Sequence, residues 1–323
     1  MSLPSGCGVC GKKDGALRCS GCKVMMYCGV EHQKAHHREH KSACTAIRGC
    51  RVAMEKEEQV VRELQGDIFT NGIRNVWLTS ETRLYMLSRA SLSNEMATIR
   101  NVESLQAQLD ILMEDLQLCR GDNTGSRYAI PGVMIRLHQD QECYDFLKWW
   151  ATAGQNHDYD WDNNTLPYLD IKNANPLEPL DVFCDGLINL PHRVAVTLVK
   201  VKVLQVIFTE MGPRDGSTAR MLGPRSDYST IAKNPNIANC DDKWLEIVKL
   251  KGQIRTLYEA VHKMNSHFWP ALVNPGEPLR ANVLIFAVGS VEEMQLALRL
   301  TYEAWNEAPG AIAVIKMAIE GKL

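Results

Sequence analysis

No stretch of this chain is both long and apolar enough to cross a bilayer. The most apolar segment, Pro191 to Phe208, carries Arg193, Lys200 and Lys202, and three cations would be costly in hydrocarbon. Charge of one sign is also missing. A formal net charge of −2 argues against bulk affinity for nucleic acid, which needs clustered Lys and Arg to neutralise phosphates. No nucleophile elbow, phosphate loop or dinucleotide fingerprint occurs, so the common enzyme signatures give no purchase. Met1 to Gly11 lacks the charged region and apolar run of an export signal, which leads us to expect an intracellular, nuclear or cytoplasmic, setting with reduced cysteines. Five of the eleven cysteines, Cys50, Cys119, Cys143, Cys184 and Cys240, are scattered without metal spacing and read as plain reduced thiols.

The other six cysteines fall in the first 44 residues with two histidines, as four pairs: Cys7/Cys10, Cys19/Cys22, Cys28/His32 and His40/Cys44. A Cys-x2-Cys pair presents two thiolates from one tight turn, and a tetrahedral zinc takes four such ligands. Four pairs thus supply two Zn2+ sites. Their assignment follows from the segment Cys28 to Cys44, whose composition favours a helix. Residues four apart share a helix face, so Cys28/His32 and His40/Cys44 are each a clamp. Twelve residues of helix rise roughly 18 Å, too far for one ion to take both clamps. The pairing is therefore interleaved: Cys7, Cys10, Cys28 and His32 on one zinc, and Cys19, Cys22, His40 and Cys44 on the other. Each is a closed Cys3His set with no position left for a substrate, a structural rather than a catalytic site. His36 and His37 do not lie four residues before a cysteine and read as solvated or surface-packing side chains. Seven Lys/Arg in this segment against Asp14, Glu31 and Glu39 leave it only mildly basic once the thiolates are bound.

The order Cys7-x2-Cys10-x8-Cys19-x2-Cys22-x4-Tyr27-Cys28-x3-His32-Gln33-x6-His40-x3-Cys44 resembles the MYND zinc finger, which has this ligand order and the same interleaved zincs. A RING finger would close on Cys-x2-Cys, whereas this chain closes on His-x3-Cys. The resemblance implies a protein-interaction module that binds short proline-containing peptides on a surface including the positions of Gln33 and His37. At the latter the family commonly has Trp, so a large apolar contact is missing here. MYND fingers also occur inside SET methyltransferases, but the Asn-His-x-Cys motif of that family is absent: Asn156-His157 is followed by Asp158 and Tyr159.

Beyond residue 48 apolar residues recur at three and four, the helical period. The spacing predicts helices over Arg51–Phe69, Ser80–Leu92, Val102–Leu116, Gly125–Leu137 (kinked or delayed by Pro131), Asp140–Ala153, Glu178–Leu190, His192–Glu210, Asp241–Phe268 and Val291–Asn306, with a last one starting at Pro309. The second and third should pack as an antiparallel pair. The valine-rich His192–Glu210 also alternates like a strand, but its length favours helix. Three Pro and three Gly between Met211 and Cys240 predict a long mobile loop. Short turns between helices suggest helix-pair stacking. The region around Arg120–Arg127 and Asp140–Trp150 resembles a fungal group in which a MYND finger precedes a tetratricopeptide-like region. The expected architecture is mainly α: a finger over residues 1–48 and a helical repeat-like domain over 49–323.

Asp158-Tyr159-Asp160-Trp161-Asp162-Asn163 copies the opening of a calcium loop, but Asn163 replaces the turn glycine and Leu169 the closing glutamate, so capping is the better reading. Trp149, Trp150, Tyr159 and Trp161 fit a peptide groove or, more commonly, core packing. The functional expectation is a non-enzymatic protein-interaction adaptor, with a methyltransferase-like enzyme or weak nucleic-acid binding through the finger as alternatives.

Overall fold

The computed structural model describes residues 3–65, 76–77, 79–184, 188–211, 229–281, 283 and 285–323, and these are mainly α. They form two compact units: Ser2–Val133 with Asp160–Leu166, and Met134–Tyr159 with Pro167–Leu323. No helix is long and apolar enough to cross a membrane among the described residues.

The first unit opens with two short antiparallel strands, β1 (Leu17–Arg18) and β2 (Met26–Tyr27), in register Leu17 to Tyr27. Helix α1 (Val30–Gln65) follows as one continuous rod, joining the expected finger helix to the expected connecting helix. No Pro interrupts it, and at about 1.5 Å per residue it spans roughly 54 Å. Helix α2 (Ser80–Met96) starts on a capping box. Thr79 Oγ1 accepts from Thr82 N–H at 3.4 Å while Thr82 Oγ1 accepts from Thr79 N–H at 3.2 Å. Helix α3 (Val102–Leu118) is capped by Asn101, whose Oδ1 accepts from Ser104 N–H at 2.8 Å. The expected α2–α3 pair is formed, with Arg89 as its polar centre. Arg89 bonds Asp115, Glu114 at 2.8 Å, the Tyr85 hydroxyl at 3.0 Å and Ile111 O at 3.2 Å. Segment 160–166 belongs to this unit because the Arg120 guanidinium donates to the carbonyls of Asn163, Asn164 and Leu166 at 3.1, 3.1 and 3.2 Å.

Asp122 takes a left-handed conformation (φ 56°) and accepts from the N–H groups of Ser126 and Arg127, which starts α4 (Ser126–Arg136). The helix then runs through Pro131 rather than starting after it.

The second unit is organised around α7 (Leu190–Glu210), capped by Asn189 and buried along most of its length on every side. That burial explains the ambiguous valine pattern, since a helix covered all round needs no polar face. Its three cations are all satisfied inside. Arg193 donates to the carbonyls of Phe183 and Cys184 at 3.1 and 3.3 Å, and Lys200 to those of Pro176 and Glu178 at 2.7 and 3.1 Å. Lys202 pairs with Asp140 at 2.6 Å. Helices α5 (Asp140–Ala151), α9 (Lys243–Met264) and α11 (Val291–Glu307) pack on it, and α10 (Phe268–Val273) and α12 (Ala311–Ile319) complete the layer. The last helix starts after Gly310 (φ 76°) rather than at Pro309.

Two further expectations are corrected. Glu178–Leu190 is not one helix: only the short α6 (Asp181–Cys184) forms among the described residues, since the carbonyls of Pro176, Glu178, Phe183 and Cys184 serve Lys200 and Arg193 instead. The loop expected over 211–240 is in part ordered. Ser229 is buried against Asp140, a turn of 3-10 helix covers Thr230–Lys233, and α8 (Pro235–Ala238) is capped by Asn234. The stretch 212–228 lies outside the described residues.

Candidate metal centre

Each knuckle of the finger is built by its backbone. Gly11 N–H donates to Cys7 O at 2.8 Å and Lys23 N–H to Cys19 O at 2.9 Å, which folds each Cys-x2-Cys pair so that both sulfurs face one point. The first turns of α1 bring His32 and His40 down onto those points. The eight residues assemble as the spacing requires: Cys7, Cys10, Cys28 and His32 form one cluster, and Cys19, Cys22, His40 and Cys44 the other. Within each cluster every ligand atom lies within 4.8 Å of the others.

The donor geometry fits zinc. Zn–S near 2.3 Å and Zn–N near 2.0 Å put tetrahedral ligand pairs about 3.5–3.8 Å apart. Observed separations are 3.6 Å for Cys10 Sγ–Cys28 Sγ, 3.7 Å for Cys19 Sγ–Cys44 Sγ, 3.4 and 3.5 Å for Cys7 Sγ–His32 Nδ1 and Cys22 Sγ–His40 Nε2, and a closer 3.1 Å for Cys28 Sγ–His32 Nδ1. Sulfurs this far apart are not disulfides, whose bond is about 2.05 Å. The two sites differ in setting. Cys10 is exposed and Cys28 and His32 half-buried, whereas Cys19, Cys22 and His40 are buried.

Electrostatics point the same way. Burial acts to raise the Cys7 thiol, but backbone N–H groups of Cys10, Cys28 and Val9 outweigh it and bring the thiol down to about 5. Cys28 is pushed up to about 11 by its hydrogen bond with Cys10, by burial and by the neighbouring thiolates. Burial and the Cys19 and Cys22 sulfurs push Cys44 up to about 12. Crowded thiols cannot all ionise alone, and a divalent cation resolves the conflict. Burial and the nearby His36 and His37 lower His40, which favours the neutral imidazole that a metal ligand must be.

Several residues support the ligands through contacts that their spacing did not indicate. Tyr27 is buried, its ring set edge-on to His40 at 6.0 Å, and its hydroxyl shares a 3.0 Å hydrogen bond with His36 Nδ1. His36 stacks on His40 at 5.8 Å, so it is a packed neighbour of the inner site, while His37 is exposed. Gly21 is required by contact: a Cβ there would sit 2.6 Å from Cys44 Sγ. Gln33 is half-buried with its amide on Cys19 Sγ at 3.8 Å.

The back of the finger is welded to α2 and α3. Asn101 Nδ2 donates to Val24 O at 3.1 Å, Gly6 N–H to Glu103 Oε1 at 2.7 Å, and Val102 N–H to Pro4 O at 3.0 Å. Val24, Tyr27, Ile47, Leu92, Met96 and Ile99 share one core with the ligand cysteines. Asp160, offered by the calcium-like motif, accepts from Asp162 N–H at 3.1 Å, a turn cap. Trp149 and Trp150 are buried, with Trp149 edge-on to Tyr168 at 4.9 Å, so they pack the second unit rather than line a groove.

Two interleaved Cys3His sites on a strand pair and a helix define a two-zinc cross-braced finger. Residues 7–44 match the family model of the MYND finger, and that segment is a MYND finger. Short stretches are similar to curated proteins. One is 35% identical over 71 residues, 21% of this chain, to "Rho GTPase-activating protein gacZ" of Dictyostelium discoideum. Another is 42% identical over 43 residues, 13% of this chain, to "Egl nine homolog 1" of Homo sapiens. These matches cover 7% and 10% of the relatives' own lengths. No solved structure matches the chain.

Proposed function

We propose that this protein is a non-enzymatic adaptor inside the cell, in the nucleus or cytoplasm, whose finger captures a proline-containing segment of another protein. The MYND finger is a zinc-binding protein-interaction module. The observation that carries the reading is that both clusters are complete four-ligand sets, which leaves the metals a scaffolding role. The partner surface is proposed around exposed His37 and the adjoining Gln33 on the first turns of α1. With His in place of the family's Trp, the contact relies more on hydrogen bonding and less on apolar area. A thiolate-based finger suits a reducing compartment, which supports the location. The helical body, in a tetratricopeptide-like reading, would hold a second partner surface. The test is binding of a proline-containing peptide panel to the full chain by fluorescence anisotropy. Binding that falls with His37→Ala and with chelation supports the reading. Binding unaffected by either, or none to any peptide, overturns it.

A further inference from the structure

We infer that Gln33 couples the two zinc sites, so that the outer and inner zincs are held and released as a linked pair. Gln33 directly follows His32, a ligand of the outer site, in the first turns of α1, and its side-chain amide donates to Cys19 Sγ of the inner site at 3.8 Å. Chain connectivity and one hydrogen bond thus join a ligand of each cluster. A Cys3His zinc carries about one net negative charge, and an N–H aimed at a thiolate sulfur spreads that charge. Losing such a supporting donor typically weakens a metal site about 10–100-fold. The outer site contains exposed Cys10 and half-buried Cys28 and His32, so it is the one a chelator reaches first. When His32 lets go, the turn that positions Gln33 loosens and Cys19 loses its donor. Tyr27 runs in parallel: it precedes the outer ligand Cys28 and packs edge-on to the inner ligand His40.

The proposal concerns metal retention and stands whether or not the finger binds a peptide. A first experiment uses the unaltered chain, titrated with substoichiometric chelator and read by native mass spectrometry. Coupling predicts two-zinc and zinc-free species with little one-zinc form, and a dominant one-zinc form overturns it. A second compares wild type with Gln33→Leu and Gln33→Glu by zinc release to a chromophoric chelator and by NMR of the cadmium-loaded chain. With Gln33→Leu, release should split into two phases, the inner metal held about tenfold more weakly, and the inner-site cadmium resonance should move alone. Gln33→Glu should be worse, since a carboxylate cannot donate and repels the thiolate, although Glu is as good a helix former as Gln. Wild-type release and unmoved resonances in both variants would refute the coupling.

Discussion

The two compact units are held together by different means. In the first, the ligand cysteines are themselves part of the core, packed with Val24, Tyr27, Ile47, Leu92, Met96 and Ile99. In the second, the interior is made of large rings and branched aliphatics, among them the fully buried Trp149, Trp150, Phe183, Phe268, Trp269 and Trp305 around α7. One unit depends on a coordination bond for cohesion, the other on apolar area. A metal-dependent fold is all-or-none around its ions, whereas an apolar core weakens in proportion to what is removed.

Zinc removal should break the comparison most sharply if it is wrong. Structural zinc contributes on the order of 10 kcal/mol per site, so Cys19→Ser or chelation should unfold residues 7–44. Because Asn101, Glu103 and Met96 pack on the finger, loss of order should spread into α2 and α3. Hydrogen exchange is expected to show α7, α9 and α11 protected throughout, and their exposure along with the finger would end the distinction. The converse is Trp305→Ala, fully buried in the second unit, which should cost about 3–5 kcal/mol while the chain still carries two zincs per molecule. Zinc content measured by a colorimetric chelator decides it.

A third prediction uses pH. Burial, against the weaker pull of Glu178 and Glu246, pushes the Lys200 amine down to about 7 from its ordinary 10.5. Between those values the unfolded chain binds the extra proton, so the second unit gains stability as pH rises through that window and gains nothing further above it. Lys200→Met removes the buried amine and should flatten that slope, an effect on the order of a few kcal/mol across the window. Denaturant midpoints of α7 unfolding at pH 7 and pH 10 measure it, and equal slopes for both proteins would count against a depressed amine. The smallest effect is expected at the weld. Asn101→Ala deletes the α3 cap and the bond to Val24 O, costing about 1–2 kcal/mol in the first unit with both zincs retained. A stoichiometric loss of zinc in this variant would mean that the weld, rather than the ligands, holds the metal.

Ligand spacing makes the metal centre legible in the sequence, because Cys-x2-Cys turns and i,i+4 clamps are local geometry. The helices expected over Ser80–Leu92 and Val102–Leu116 form over Ser80–Met96 and Val102–Leu118, because helical spacing is a local pattern, although Leu84 and Leu87 of the first face solvent. Glu178–Leu190 misled because its helical spacing competes with long-range demand: its carbonyls, and that of Pro176, are claimed by Lys200 and Arg193, whose own burial comes from packing. His36 read as a solvated or surface-packing side chain; it is half-buried and stacks on His40, four residues on along the same helix face, a contact that spacing allows but that only packing fixes.

By itself the sequence determined the eight ligands, their interleaved pairing and the helical character of the rest, all governed by geometry within one or two turns of chain. Only the tertiary structure decided that the finger's core is completed by α2 and α3, 77 and 97 residues away at Asn101 and Glu103, and that three cations of α7 sit satisfied inside an apolar unit. Contacts between segments so far apart depend on which faces meet in space, and periodicity along the chain carries no record of that choice.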